Sequence, residues 1–240
     1  MKLETRELAG AEPALIFLHE GLGSVALWRD FPQRLAAETG RLALIYSRAG
    51  HGESDVPDEP RTPRFMHDEA LDVLPGLLAS HGIAEPILVG HSDGGSIALI
   101  HASEHPVTGL VLLAPHVFVE DLSVASIAEA RETFETTDLG ERMGRYHRDA
   151  EATFRLWNDI WLAPEFRDWN IEDVLPAITA PTLLIQGAHD QYGTLAQIEA
   201  IERGVSGPVE LAVLDCRHAP HLEAPEETLR AAVRFVRGLP

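Results

Sequence analysis

Pro86-Ile-Leu-Val-Gly90 runs straight into His91-Ser92-Asp93-Gly94-Gly95-Ser96-Ile97-Ala98-Leu99-Ile100-His101-Ala102. The first five residues form a short apolar run, as in a strand covered on both faces. The rest reads as a helix. At the junction stands Gly90-x-Ser92-x-Gly94. A serine there occupies a sharp strand-to-helix turn, in a backbone conformation that a residue with a Cβ adopts only under strain. Side chains two before and two after it would collide across the turn, so both positions must be small. The turn lifts the hydroxyl clear of the sheet. It also aims the helix N-terminus, with its free N–H groups and positive dipole end, at the same spot. A glycine-rich turn with a helix-capping serine is the bland alternative, and the clean strand and helix on either side argue against it.

An unassisted serine hydroxyl is a poor nucleophile. It needs a base, usually histidine, and a carboxylate to hold that histidine in the right tautomer. "PTLLIQG" (181–187) is followed by Ala188-His189-Asp190, and "PVELAVL" (208–214) by Asp215-Cys216-Arg217-His218. Asp190 and His218 thus each lie just past a strand and are the expected acid and base. His221 is a competing base. Asp215 is a weaker acid because it shares the loop of His218 instead of facing it from another loop. His189, beside Asp190, is a further distractor among 12 histidines. No His/Asp cluster has ligand spacing on a shared helix face, so neither a metal nor a cofactor is expected.

Further apolar runs are "ALIFLH" (14–19), "LALIYS" (42–47) and "GLVLLA" (109–114). Amphipathic stretches separate them; in 66–82, Leu71, Leu74, Leu77 and Leu78 fall at helical spacing and Gly82 is a plausible stop. Strands alternating with helices indicate a mainly parallel α/β sheet. The rhythm breaks over 117–173, which has no strong strand signal. This stretch carries Phe134, Tyr146, Phe154, Trp157, Trp161 and Trp169 and reads as a helical insertion, with most of its aromatics packing it down. The expected division is a core of 1–116 and 174–240 with an inserted helical unit at 117–173.

"ALIFLHEGLGSVALW" (14–28) permits two readings. Gly21-x-Gly23-x-x-Ala26 after a strand fits a dinucleotide-binding turn, with Arg48 placed to face a 2′-phosphate. A histidine followed by glycines after a strand also fits an anion-binding turn of a hydrolase. The dinucleotide reading leaves Ser92, Asp190 and His218 unexplained.

The bulk numbers restrict the partners. A chain of 240 residues, 45% hydrophobic, suits one α/β domain, or one with an inserted subdomain. A net charge of −19 repels phosphate backbones and anionic lipids, and otherwise serves solubility. Lys2 is the only lysine. The single cysteine, Cys216, allows no intrachain disulfide. No apolar leader or membrane-length run appears, so a cytoplasmic protein is expected. A small-molecule acyl substrate is the expected partner, without nucleic acid or membrane; assembly into a homo-oligomer is left open.

Together these pieces resemble the α/β-hydrolase superfamily over nearly the whole chain. The resemblance rests on "HEGLG" after an early strand, "SRAGHGESD" (47–55), "GHSDGG", "GAHD" and "RHAPHLEAP" (217–225), which is like that superfamily's G-H-x-x-H-x-E-x-P run. It implies the α/β-hydrolase fold, a mainly parallel twisted sheet flanked by helices, with 117–173 as the cap. The first histidine of the final run is the catalytic one in that superfamily, which favours His218 over His221. An oxyanion hole is also implied, from the backbone N–H of Asp93 and of Gly21, or of Leu22 with a one-residue offset. The Asp93 side chain itself suits the first helical turn.

Three departures stand out. Glu20 replaces the glycine of H-G-x-x-G, Ser47 stands where Asp is common, and the short leader leaves room for at most one strand before 14–19. Glu20 would oppose an oxyanion if it faced one. Its side chain is therefore expected to turn away and pair with Arg48, fixing a supporting loop made by His19, Glu20 and Arg48. The expected function is hydrolysis of a small carboxylic ester through an acyl-enzyme on Ser92. Alternatives on the same residues are a C–C bond hydrolase of aromatic meta-cleavage products, a thioesterase or a lactonase. An NADP-type oxidoreductase and a non-catalytic binding protein are the readings outside that class.

Overall fold

In the computed structural model, which describes residues 1–240, every apolar run forms a strand of one seven-stranded sheet. These are β2 (Ala11–Leu18), β3 (Arg41–Ser47), β4 (Ile87–His91), β5 (Gly109–Leu113), β6 (Thr182–Gly187) and β7 (Val209–Leu214). One further strand, β1 (Glu4–Leu8), precedes them, so the leader keeps a single strand. The order is β1-β3-β2-β4-β5-β6-β7. Only β1, which runs against β3, is antiparallel. The chain visits β3 on one side of β2 and then β4 on the other. The crevice beyond the ends of β2 and β4 is therefore a topological switch point, where such sheets bind ligands.

The continuous apolar runs are explained by burial on both faces. In β2, Ala14, Ile16 and Leu18 join one core, while Leu15 and Phe17 join the other. On the second face pack α1 (Phe31–Thr39) and the last helix, α10 (Pro225–Gly238). The first face carries α2 (Phe65–Asp68), α3 (Leu74–Ser80), α4 (Asp93–Glu104) and α8 (Ala196–Gly204). Helix spacing over 66–82 is borne out, and Gly82 follows the helix at φ 69°. The sequence hides one irregularity there: Glu69–Val73 is a π-helical turn between α2 and α3.

Between β5 and β6 lie α5 (Asp121–Thr136), α6 (Leu139–Met143) and α7 (Ala150–Trp161). An isolated bridge between Phe118 and Asn170 pairs the two ends of this segment. The short α9 (Pro220–Glu223) follows β7. No helix is long and apolar enough to cross a membrane.

Candidate active site

Ser92 joins β4 to α4 with φ 52° and ψ −117°, one of three non-glycine residues at positive φ. The two glycines are required by what surrounds them. A Cβ on Gly90 would lie 2.7 Å from the Gly95 Cα and nearer still to the Gly94 carbonyl. A Cβ on Gly94 would lie 2.8 Å from the His19 oxygen and would overlap the Leu18 carbonyl at the end of β2. The elbow is thus wedged against its neighbouring strand by main-chain atoms that have little room to move.

Asp190 and His218 meet at the ends of β6 and β7. His218 Nδ1 lies 2.9 and 2.8 Å from the two Asp190 oxygens. Tyr192 N–H at 2.7 Å, Gly193 N–H at 3.3 Å and Gln186 Nε2 at 2.8 Å also donate to that carboxylate. Burial pushes the Asp190 carboxyl up. The hydrogen bond and charge of His218, with the Tyr192 amide, outweigh it and hold the group below its ordinary value. Nδ1–H is therefore the donor to Asp190, which leaves Nε2 as the ring's other nitrogen. The competing residues pair with each other: His189 Nε2 sits 2.9 Å from Asp215 Oδ1 in an exposed bridge. His221 is buried against Trp28 and Phe31.

A cavity of about 240 Å³ gathers these ends, with Ser92 and His218 in its wall. Gly21 and Leu22 of the β2 turn line it too, as do Trp157 and Trp161 of α7. Of the insertion's aromatics, these two reach the cavity, while Phe134 and Phe154 stack on each other at 4.0 Å. The Ser92 hydroxyl is not hydrogen-bonded to His218 in the free protein; such contacts commonly tighten only with substrate in place.

The turn after β2 departs from expectation. Arg48 does not pair with the Glu20 carboxylate. Its Nη2 donates to the main-chain oxygens of Glu20 (2.8 Å) and His19 (3.2 Å), and lies 3.6 Å from Asp93 Oδ2. Both Arg48 and Asp93 are fully buried. A guanidinium in that position offsets the buried negative charge without hydrogen-bonding Oδ2, since an unpaired buried charge is more costly than an unpaired one near solvent. Trp161 Nε1 donates to Asp93 Oδ1 at 3.2 Å. The Asp93 side chain therefore anchors α4 to Arg48 and α7, in addition to opening the helix. His19 braces the same turn, accepting from the Arg48 amide at 2.9 Å and meeting the Glu20 carbonyl at 2.7 Å.

Glu20 itself lines the cavity. Its carboxylate folds over Gly23 and comes within 3.8 Å of His91 Nδ1. The dinucleotide reading fails at this turn. The indole of Trp157 occupies the space beside Gly21, and only a short 3-10 turn, Val25–Trp28, follows directly.

Neutral imidazoles surround His218. Burial, followed by the charge of His218, lowers His116 to about 4 and His221 to about 3. Burial is also the main cause for His91, which lies well below its ordinary value. Sequence reasoning missed His116, which lies two residues past Ala114, itself at positive φ, and lines the cavity. Its position just beyond a strand end was the available signal.

A family model described as the alpha/beta hydrolase family matches residues 15–231. The chain belongs to the alpha/beta hydrolase family. Among its relatives, the sn-1-specific diacylglycerol lipase ABHD11 of Mus musculus is 33% identical over 94 residues, 39% of this chain but only 29% of that one. The corresponding Danio rerio lipase is 25% identical over 264 residues, covering 95% of this chain and 79% of the relative. A carboxylesterase structure from the thaumarchaeon Nitrososphaera gargenis superposes with a TM-score of 0.81 at 19% identity, over 98% of this chain and 93% of that one. The last comparison speaks to the fold alone: this chain keeps the sheet and its helical flanks.

Proposed function

We propose that the protein is a serine hydrolase of a small carboxylic ester, working through an acyl-enzyme on Ser92. The observation that carries this reading is the convergence of the Asp190–His218 pair with the strained Ser92 elbow on one cavity. Ser92 Oγ attacks the substrate carbonyl as His218 Nε2 takes its proton. The oxyanion is received by the backbone N–H groups of Gly21, or Leu22, and Asp93; one such donor contributes about 3–4 kcal/mol to lowering the barrier. His218 then gives its proton to the departing alkoxide. A water, deprotonated by the same nitrogen, attacks the acyl-enzyme, and the proton returns to Ser92 as the acid leaves. Asp190 holds the tautomer and stabilises the imidazolium.

In this reading 117–173 acts as a cap that shapes the pocket over the 1–116 and 174–240 core, with Trp157 and Trp161 supplying apolar wall. Cleavage of an ester bond is what the ABHD11 relatives' name describes, which supports the choice. The C–C hydrolase alternative is less well served. Meta-cleavage of a catechol leaves a carboxylate on the product, and no arginine or lysine lines this cavity to receive one. The test is a kcat/KM panel of matched ester, thioester, lactone and vinylogous diketone, run with wild type and Ser92→Ala. The expected result is turnover of the ester and its loss in the variant; a variant as active as wild type refutes the mechanism.

A further inference from the structure

Two carboxylates line the cavity, and they differ in commitment. Glu223 receives the amides of Arg217 at 2.7 Å and Ala219 at 3.3 Å. Glu20 is met by its own backbone amide and by no side-chain donor, since Arg48 is engaged by main-chain oxygens and Asp93. Its nearest basic group is His91 Nδ1 at 3.8 Å, on a ring whose Nε2 is bonded to the His218 carbonyl at 2.8 Å. That ring is buried and neutral, and its Nδ1 has no partner. No arginine or lysine thus lies in ion-pair contact with this carboxylate, and Arg48 acts on it only from a distance.

Aromatic rings share the cavity wall with it. The Trp157 indole lies against Gly21, the next residue, and meets Tyr192 edge-on with ring centres 6.4 Å apart. Both rings line the cavity. A carboxylate without an ion-pair partner in a cavity walled by aromatic rings is a donor set suited to an organic cation. The net charge of −19 acts in the same sense at long range, concentrating cations and repelling anions.

We propose, building on the serine-hydrolase reading above, that Glu20 binds an ammonium group carried by the acyl substrate, seated against Trp157 and Tyr192. A glycine at position 20 would leave Glu223, already engaged by the Arg217 and Ala219 amides, as the cavity's one carboxylate. Glu20 makes the same pocket favour a cationic ester over its neutral isostere and disfavour an anionic one.

The test compares kcat/KM within isosteric pairs. Butyrylcholine against 3,3-dimethylbutyl butyrate puts the cation on the alcohol side. Phenyl 4-(trimethylammonio)butanoate against phenyl 5,5-dimethylhexanoate puts it on the acyl side, with monophenyl glutarate as the anion. The cation is expected to win by about tenfold or more in at least one pair, with the anion last. Glu20→Gln should bring that ratio close to one. The ratio cancels any loss common to both esters.

Wild type supplies a second readout, since a quaternary ammonium does not titrate. Burial raises the Glu20 carboxyl above its ordinary value, and its own backbone amide, then Arg48 and His218, act against that rise. The preference should therefore fade as pH is lowered through this carboxyl. The other charged or titratable groups around it also act on a cation, so the fade is read as the difference between the pH profiles of wild type and Glu20→Gln. They are Arg48, His91, Asp93, His116, His218 and Glu223, with Arg142, Arg145 and His147 across the adjoining groove. Ratios near one in both pairs overturn the proposal. So does a preference that survives Glu20→Gln, including a uniform loss of rate that leaves the ratio intact. Should no ester be turned over and a fluorophosphonate fail to label Ser92, the hydrolase reading falls and takes this proposal with it.

Discussion

Replacing Gly94 with alanine tests the link between packing and chemistry at the elbow. The new Cβ would sit 2.8 Å from the His19 oxygen and closer to the Leu18 carbonyl. An ordinary contact needs about 3.4 Å or more. Leu18 cannot retreat easily, because it is in register with Gly90 in the centre of the sheet. The start of α4 must therefore move away from β2 by more than about 1 Å. Overpacking of this kind costs about 1–3 kcal/mol. For a chain of this size that is a Tm lower by roughly 2–12 °C. Ser92 and the Asp93 amide travel with α4 relative to the 19–23 turn, and a misplacement of about 1 Å costs about 100-fold in rate. Calorimetry and kcat/KM on a short p-nitrophenyl ester read the two effects. Gly76→Ala is the control, because nothing lies within 4 Å of its Cβ on an ordinary exposed helical turn. It should stabilise by about 0.5–1 kcal/mol. Gly94→Ala matching wild type in both Tm and kcat/KM would refute the reasoning.

Other perturbations have equally definite outcomes. Asp190→Asn should lower kcat by about 10⁴-fold without unfolding the protein, because the asparagine no longer fixes the Nδ1–H tautomer; circular dichroism and ester kinetics check this. Arg48→Met should destabilise by about 3–5 kcal/mol by stranding the buried Asp93 carboxylate. The double variant with Asp93→Asn should recover part of that loss in urea unfolding, and strict additivity would contradict the pairing. Stability should fall with acidification below about pH 6.5. The folded pKa values of His116 (about 4) and His221 (about 3) lie below the unfolded 6.5, so the unfolded chain binds more protons in that window. Each contributes up to about 1.4 kcal/mol per pH unit, and urea midpoints that do not fall between pH 7 and 5.5 would count against it.

The parts of the site that were legible in the sequence are those set by local chain. Ser92, Asp190 and His218 each stand just past an apolar run, and a parallel sheet carries all its strand ends to one side. The same logic gave the single leading strand and the Gly82 stop. What stayed hidden depends on contacts distant in sequence. Arg48 was expected on Glu20 because the two loops adjoin. Burial decided otherwise: Arg48 lies against Asp93, whose carboxylate is buried next to Ser92 and away from water. The π turn at Glu69–Val73 was masked because the surrounding leucines keep helical spacing. Its first residue, Glu69, accepts a buried hydrogen bond from Tyr46 at 2.7 Å, a contact 23 residues away in sequence. The exposed His189–Asp215 bridge shows the converse. Two residues of the right chemistry next to the right strands pair with each other at the surface, while His218 lines the cavity with Asp190 behind it.

Rapid mixing with a slowly deacylating p-nitrophenyl ester, followed by acid quench and peptide mass mapping, asks whether Ser92 carries the acyl group. A burst of one p-nitrophenolate per active site is expected, with an acyl mass increment on the peptide containing Ser92, both lost in Ser92→Ala. Turnover without a Ser92 adduct, or an adduct that persists on another residue in the variant, would contradict it.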